Sequence, residues 1–156
     1  MILVGFASLG RLWCSVYIAG NKTYNLVETG PFSMTRNPLY FFSFLGGVGV
    51  GLSTETVIFP LVIGGLFAVW YPLVIRNEET RLLEVHGDAF VDYMKRVPRF
   101  FPNPFLLVEP EQAPVYVKKF RKAMFDALWF IWLVGLLEAG EGFRQSGILP
   151  TLFTLL

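Results

Sequence analysis

The chain has 156 residues, of which 54% are hydrophobic and 17% aromatic, and its formal net charge is +1. Charged residues make up 16%, against roughly 25% in soluble domains, so the composition excludes an ordinary soluble protein and indicates a single membrane domain. The balanced charge excludes a nucleic-acid-binding protein, which needs a concentrated basic surface. One histidine and one cysteine are too few for a Cys/His metal centre, so we predict no metal site.

Four apolar segments are expected to cross the membrane as helices, since a crossing takes about 20 residues. The first covers residues 1–20, and the second and third, residues 38–52 and 57–75, form a hairpin joined by a polar turn. Glycines in both arms favour close packing of the hairpin. The fourth segment, residues 123–137, follows a basic cluster at 118–122, which is typical of an anchor at anionic lipid headgroups.

Arg11 is the charged residue of the first apolar segment. A charge within a span costs about 2.5–3.5 kcal/mol on insertion scales. Its side chain is therefore expected either to extend to the membrane interface or to face a polar cavity.

Two polar segments lie at the open end of the hairpin. The first polar segment is residues 30–40, with Arg36 and an Asn-Pro pair that suits a helix start. The second polar segment is residues 76–82, with Glu78 and Glu79. If the hairpin closes, Arg36 meets the two glutamates at one membrane face. Charges there usually serve function, although charges at span ends also commonly extend to the interface without another role.

Residues 78–97 alternate apolar and charged side chains at helical spacing, which predicts an amphipathic helix on the membrane surface.

Nine of the 13 basic residues fall between residues 76 and 122, whereas the turn at 53–56 has none. The excess of Lys and Arg places the polar segments on the cytoplasmic side.

The two polar segments offer a mixed set of ligand-binding groups. Arg36 presents a fork of donors for a carboxylate or phosphate, and the glutamates accept from hydroxyls or hold a cation. Tyr40 and Phe32 offer aromatic faces for a flat ring or a cation. S-adenosylmethionine has a carboxylate, a sulfonium, a ribose and an adenine, and matches this set.

The motifs LVETGPF at 26–32, RNPLY at 36–40 and EETRLLEVHGDAFVDYMKRVP at 78–98 resemble those of the isoprenylcysteine carboxyl methyltransferases and their relatives, the phospholipid N-methyltransferases. The resemblance runs from about residue 10 to residue 102. It implies an all-α, integral membrane bundle of about four transmembrane helices plus a cytoplasmic-side amphipathic helix. Residues 1–102 would form the methyltransferase-like core, and residues 103–156 a linker and a C-terminal hydrophobic helix.

The resemblance also implies a site for S-adenosylmethionine. The cofactor contacts would be Leu26, Val27, Gly30, Arg36, Asn37, Pro38, Tyr40, Glu78 and Glu79. Glu79 and Arg96 would be the catalytic residues, with Arg96 near the acceptor.

The implied activity is methyl transfer to a lipid-like or prenylated acceptor, through its carboxylate or amine, taken directly from the bilayer. Asn25, Phe32 and Asn37 depart from the usual family residues. These departures keep open a non-catalytic membrane subunit, docked on a larger protein complex through the C-terminal helix.

Overall fold

The computed structural model describes residues 2–19, 25–54, 56–113 and 115–145, with side chains as far as residue 139. The described residues form helices joined by loops. The only β-bridge among them is an isolated antiparallel one between Gly30 and Val108. The α-helices are α1 (Ile2–Ile18), α2 (Pro31–Met34), α3 (Pro38–Leu52), α4 (Ile58–His86), α5 (Asp88–Arg96) and α6 (Val117–Gln145), with a 3-10 turn at Pro104–Leu106. The apolar tail at 148–156 lies outside the described residues.

The helix α3 lies at the centre and contacts α1, α4 and α6. Glycines allow these close approaches. A Cβ on Gly46 would lie 2.8 Å from Phe130 of α6, and one on Gly51 would lie 2.9 Å from the backbone of Pro60 of α4. The prediction of close packing is wrong for Gly64 and Gly65 of α4, because a Cβ added to either would have no atom of another element within 4 Å.

One helix in the described part of the chain, α4, is long and apolar enough to cross a membrane, while α1 and α3 are shorter apolar helices. Leu61, Val69 and Trp70 of α4 are more than two-thirds exposed. A continuous exposed apolar surface of this kind suits contact with lipid. The arrangement of four spans stays a prediction.

The predicted amphipathic helix over residues 78–97 is wrong in its start. Residues 78–86 continue α4 without a break, because the sequence there is rich in Glu, Arg and Leu, which favour helix. The helix ends at Gly87, whose φ of 52° suits glycine, and whose N–H donates to the carbonyl of Leu83. The second polar segment therefore lies on the same continuous helix as the third predicted span.

The shorter α5 is amphipathic, with Phe90 and Tyr93 buried and Asp92 and Lys95 exposed. The Tyr93 hydroxyl donates to the backbone carbonyl of Phe32 at 2.7 Å, which joins α5 to α2. Burial raises the pKa of Tyr93 above its ordinary value.

Tyr93→Phe is expected to lower the free energy of unfolding by about 1–3 kcal/mol, because the buried carbonyl loses its donor. The raised pKa adds a dependence on pH. The neutral phenol is favoured in the folded state, so its contribution is complete below about pH 10 and is lost as the pH rises further. Thermal unfolding of both proteins at pH 8 and pH 11 measures this: the alkaline loss of stability should be smaller in the variant. An equal loss in both would contradict the role given to Tyr93.

Candidate functional site

The hairpin closes so that the two polar segments meet, as predicted. Arg36 Nη1 lies 3.0 Å from Glu79 Oε1, and the two side chains are only 12% and 17% exposed. The Tyr40 hydroxyl donates to Glu78 Oε2 at 2.8 Å. The contact arises because α4 continues beyond its apolar part and carries both glutamates to the start of α3.

A second guanidinium reaches the same carboxylate. Arg99 Nη2 lies 2.9 Å from Glu79 Oε2. Two hydrogen bonds hold the segment after α5 in place: the backbone N–H of Arg36 donates to the Pro98 carbonyl at 2.9 Å, and the side-chain amide of Asn37 donates to the Arg99 carbonyl at 2.8 Å. Sequence reasoning missed Arg99; its place next to the helix-ending Pro98 was the available signal.

Arg36, Tyr40, Glu78 and Glu79 line a cavity of about 320 Å³, within the range of about 300–1,000 Å³ that is usual for small-molecule sites. Eight of the nine predicted cofactor residues line it: Leu26, Val27, Arg36, Asn37, Pro38, Tyr40, Glu78 and Glu79. Arg11 also lines the cavity, which favours the second of its two predicted placements. Sequence reasoning did not assign Tyr71, Leu82, Phe90 or Tyr93, which lie on the cavity wall as well.

Gly30 is the predicted cofactor residue that does not line the cavity. Its φ of 60° and ψ of −136° require glycine. Its N–H donates to the Val108 carbonyl at 2.8 Å, and a Cβ there would lie 2.4 Å from the Tyr17 ring. The role of Gly30 is therefore to allow the turn before α2.

Arg96 lies outside the cavity wall. Its guanidinium pairs with Glu28 at 2.6 Å, and its side chain is 62% exposed. This ion pair ties α5 to the segment that carries Leu26 and Val27. A catalytic role for Arg96 stays a prediction.

Unused hydrogen-bonding capacity remains in the cavity wall. Arg36 Nε is buried and has no hydrogen-bond partner. Glu79 Oε1 is buried as well; it forms an ion pair with Arg36 but accepts no hydrogen bond of good geometry. An unsatisfied buried polar group costs about 1–3 kcal/mol. A ligand with both donors and acceptors would remove this cost.

An apolar groove of about 360 Å³ adjoins the cavity. Phe44, Phe67 and Phe100 form much of its wall, and Arg99 lies at its polar end. Tyr71 lines both spaces. The site thus combines a charged cavity with an apolar groove on the side of α3 and α4.

Comparison with known proteins gives a family. The profile of the phospholipid methyltransferase family matches residues 4–89, and no solved structure matches the chain. The nickel-cobalt-cadmium resistance protein NccN of Alcaligenes xylosoxydans xylosoxydans is 41% identical over 156 residues, which are 100% of this chain and 72% of that protein. The cobalt-zinc-cadmium resistance protein CzcN of Cupriavidus metallidurans is 38% identical over 155 residues, or 99% of this chain and 71% of that protein.

A more distant similarity is to the protein-S-isoprenylcysteine O-methyltransferase of Schizosaccharomyces pombe. It is 31% identical over 86 residues, which are 53% of this chain and 35% of that enzyme. The family match covers more than half of the chain and both arms of the hairpin, as well as the charged residues that meet between them. The chain therefore belongs to the phospholipid methyltransferase family.

Proposed function

We propose that the chain is an integral membrane methyltransferase that uses S-adenosylmethionine and acts on a lipid-like or prenylated acceptor at the cytoplasmic membrane face. The observation that carries this proposal is the ion pair between Arg36 and Glu79 in the wall of a cavity of about 320 Å³, inside the family-matched segment. The orientation rests on the excess of basic residues between 76 and 122.

The wall of the cavity suits S-adenosylmethionine. The unpartnered Arg36 Nε is a donor for its carboxylate, and the Glu78 carboxylate, which accepts from Tyr40, has capacity for a ribose hydroxyl. Phe90 and Leu82 provide apolar surface for a flat base. When bound, S-adenosylmethionine supplies an electrophilic methyl group.

The residues of the chain then contribute mainly alignment and exclusion of water. For a carboxylate acceptor, orientation suffices because the nucleophile is already anionic. For an amine acceptor, Glu79 or Glu78 would take the proton that the amine must lose. The apolar groove beside the cavity supports an acceptor that enters from the bilayer, since a hydrocarbon chain would fit its aromatic wall.

A non-catalytic membrane subunit is the second candidate. It is compatible with the names of two similar proteins, which refer to metal resistance and to no methyltransferase activity. It would keep the fold and dock a protein partner through α6, where Trp132 and Leu136 are each about two-thirds exposed. Within the described residues, no three His, Cys, Asp or Glu side chains gather to hold a metal ion.

Transfer of label separates the two candidates. Membranes that contain the chain are incubated with S-adenosylmethionine labelled in its methyl group, and the lipids are then extracted. We expect label in a lipid fraction, at a level that depends on the chain and falls in the Glu79→Gln variant. Label equal to that in membranes without the chain, together with migration of the chain in a larger complex, would favour the non-catalytic subunit.

A further inference from the structure

Arg11 is half-buried where α1 meets α3 and α6, and the groups that it contacts are uncharged. Its guanidinium donates to Ser43 Oγ of α3 and, at 3.4 Å, to the backbone carbonyl of Asp126 of α6. Its Cζ lies 5.3 Å from the centre of the Phe130 ring. Among the described residues no carboxylate forms an ion pair with it within 4.0 Å, unlike Arg36 and Arg99.

The groups that touch Arg11 carry no charge, and the Asp126 carboxylate faces it from beyond ion-pairing distance. A hydroxyl, a carbonyl and an aromatic ring are all neutral, and Arg11 Nε is buried with no hydrogen-bond partner. An unpaired charge among apolar helices is unfavourable, and the arrival of an anion relieves it. A guanidinium is also the group that best matches the planar oxygens of a carboxylate or phosphate.

Arg11 stands where two spaces meet. Arg11, Ser43 and Tyr71 line both the cavity at Arg36 and a second space of about 500 Å³ that extends to α6. The remaining wall of the second space is aromatic apart from Asp126, whose side chain is exposed and is not paired with Arg11. A ligand could therefore place an anionic group at Arg11 and an apolar part among aromatic rings.

We propose that Arg11 binds the oxyanion of the methyl acceptor, an amphiphile that carries a carboxylate or a phosphate. This inference rests on the proposed function, and it adds the residue that binds the oxyanion of the acceptor. Arg36 is already paired with Glu79 and belongs to the residues assigned to the methyl donor. Ser43 is a positioning residue: its hydroxyl accepts from Arg11 and donates to the Leu39 carbonyl at 2.7 Å, which fixes the guanidinium.

The test uses the full chain in dodecyl maltoside micelles and four soluble probes: hexyl phosphate, hexanoate, hexanol and hexyltrimethylammonium. Tryptophan fluorescence reports binding, because Trp129 lines the second space. We expect saturable binding of hexyl phosphate, hexanoate or both, and the stronger of the two identifies the oxyanion. Preference for hexyltrimethylammonium, or equal binding of all four probes, would overturn the proposal.

Variants locate the anion. Arg11→Gln should weaken binding of the preferred anion by about tenfold or more, as expected for loss of a charged hydrogen-bonding partner. The matched control Arg81→Gln removes an exposed arginine from α4 and should change nothing. If Arg11→Gln does not fold, Arg11→Lys serves instead: it keeps the charge, loses the fork and should bind the anion severalfold more weakly. Unchanged anion affinity in the folded variant would overturn the proposal.

Ser43→Ala tests positioning. The variant should bind the preferred anion more weakly and hexanol with unchanged affinity. An equal loss of affinity for both probes would show that Ser43 has only a structural role. A titration of the wild-type chain with S-adenosylmethionine separates this inference from the proposed function. Binding of S-adenosylmethionine without a preference for anionic probes overturns the inference alone. Binding of the anion without S-adenosylmethionine overturns the methyltransferase proposal and leaves the anion site in place.

Discussion

Arg36→Ala is expected to reduce the affinity for S-adenosylmethionine by about 10- to 100-fold, because a charged hydrogen bond contributes about 1.5–3 kcal/mol. Glu79→Gln should have an effect of similar size, since it leaves the guanidinium groups of Arg36 and Arg99 without their shared carboxylate. Isothermal titration calorimetry of the purified chain measures both affinities.

Matched controls lie on α4, the helix that carries Glu79. Arg81→Ala and Glu84→Gln each remove an exposed charge from α4 outside the cavity wall. Both should bind S-adenosylmethionine with the affinity of the wild type. Unchanged affinity in Arg36→Ala and Glu79→Gln alike would refute the assignment of the cavity to the methyl donor.

Gly30→Ala should lower the free energy of unfolding by about 1–3 kcal/mol through backbone strain alone. The added methyl group would also lie 2.4 Å from the Tyr17 ring, so either that ring or the turn must move. At about 2–4 °C per kcal/mol for a chain of this size, the thermal midpoint should fall by about 2–12 °C. Circular dichroism during heating in detergent measures the midpoint.

Gly65→Ala is the control for this prediction. Gly65 lies within α4 with open space around it. Alanine there should leave the midpoint unchanged or raise it slightly, because glycine costs about 0.5–1 kcal/mol within a helix. A midpoint in Gly30→Ala equal to that of the wild type would show that the turn before α2 adapts and is not fixed by glycine.

The meeting of the polar segments could be predicted from the sequence because it depends on helix lengths and a short turn. Two apolar arms of similar length, joined at residues 53–56, bring residue 36 near residue 79 whatever the details of packing. The observed distance of 3.0 Å between Arg36 and Glu79 confirms this part. The family resemblance was likewise confirmed by the match over residues 4–89.

Other features depend on long-range contacts that no local pattern reports. The amphipathic pattern that begins at residue 78 predicts a separate surface helix, yet α4 continues through this stretch until Gly87 ends it. Arg99 enters the site because the segment after α5 folds back onto Asn37, through a hydrogen bond across 62 residues. Tyr71 reaches the cavity through packing of α4 against α3, which the apolar composition of both helices does not specify.

Photochemical labelling tests the central claim most directly. The purified chain is irradiated with S-adenosylmethionine that carries a radioactive methyl group, and the labelled peptides are identified by mass spectrometry. If the two ends of the hairpin enclose the methyl donor, peptides covering residues 25–43 and 71–93 should be labelled, and the labelling should saturate with concentration. The Arg36→Ala variant should incorporate less label into these peptides. Label confined to α6, or label that does not saturate with concentration, would contradict it.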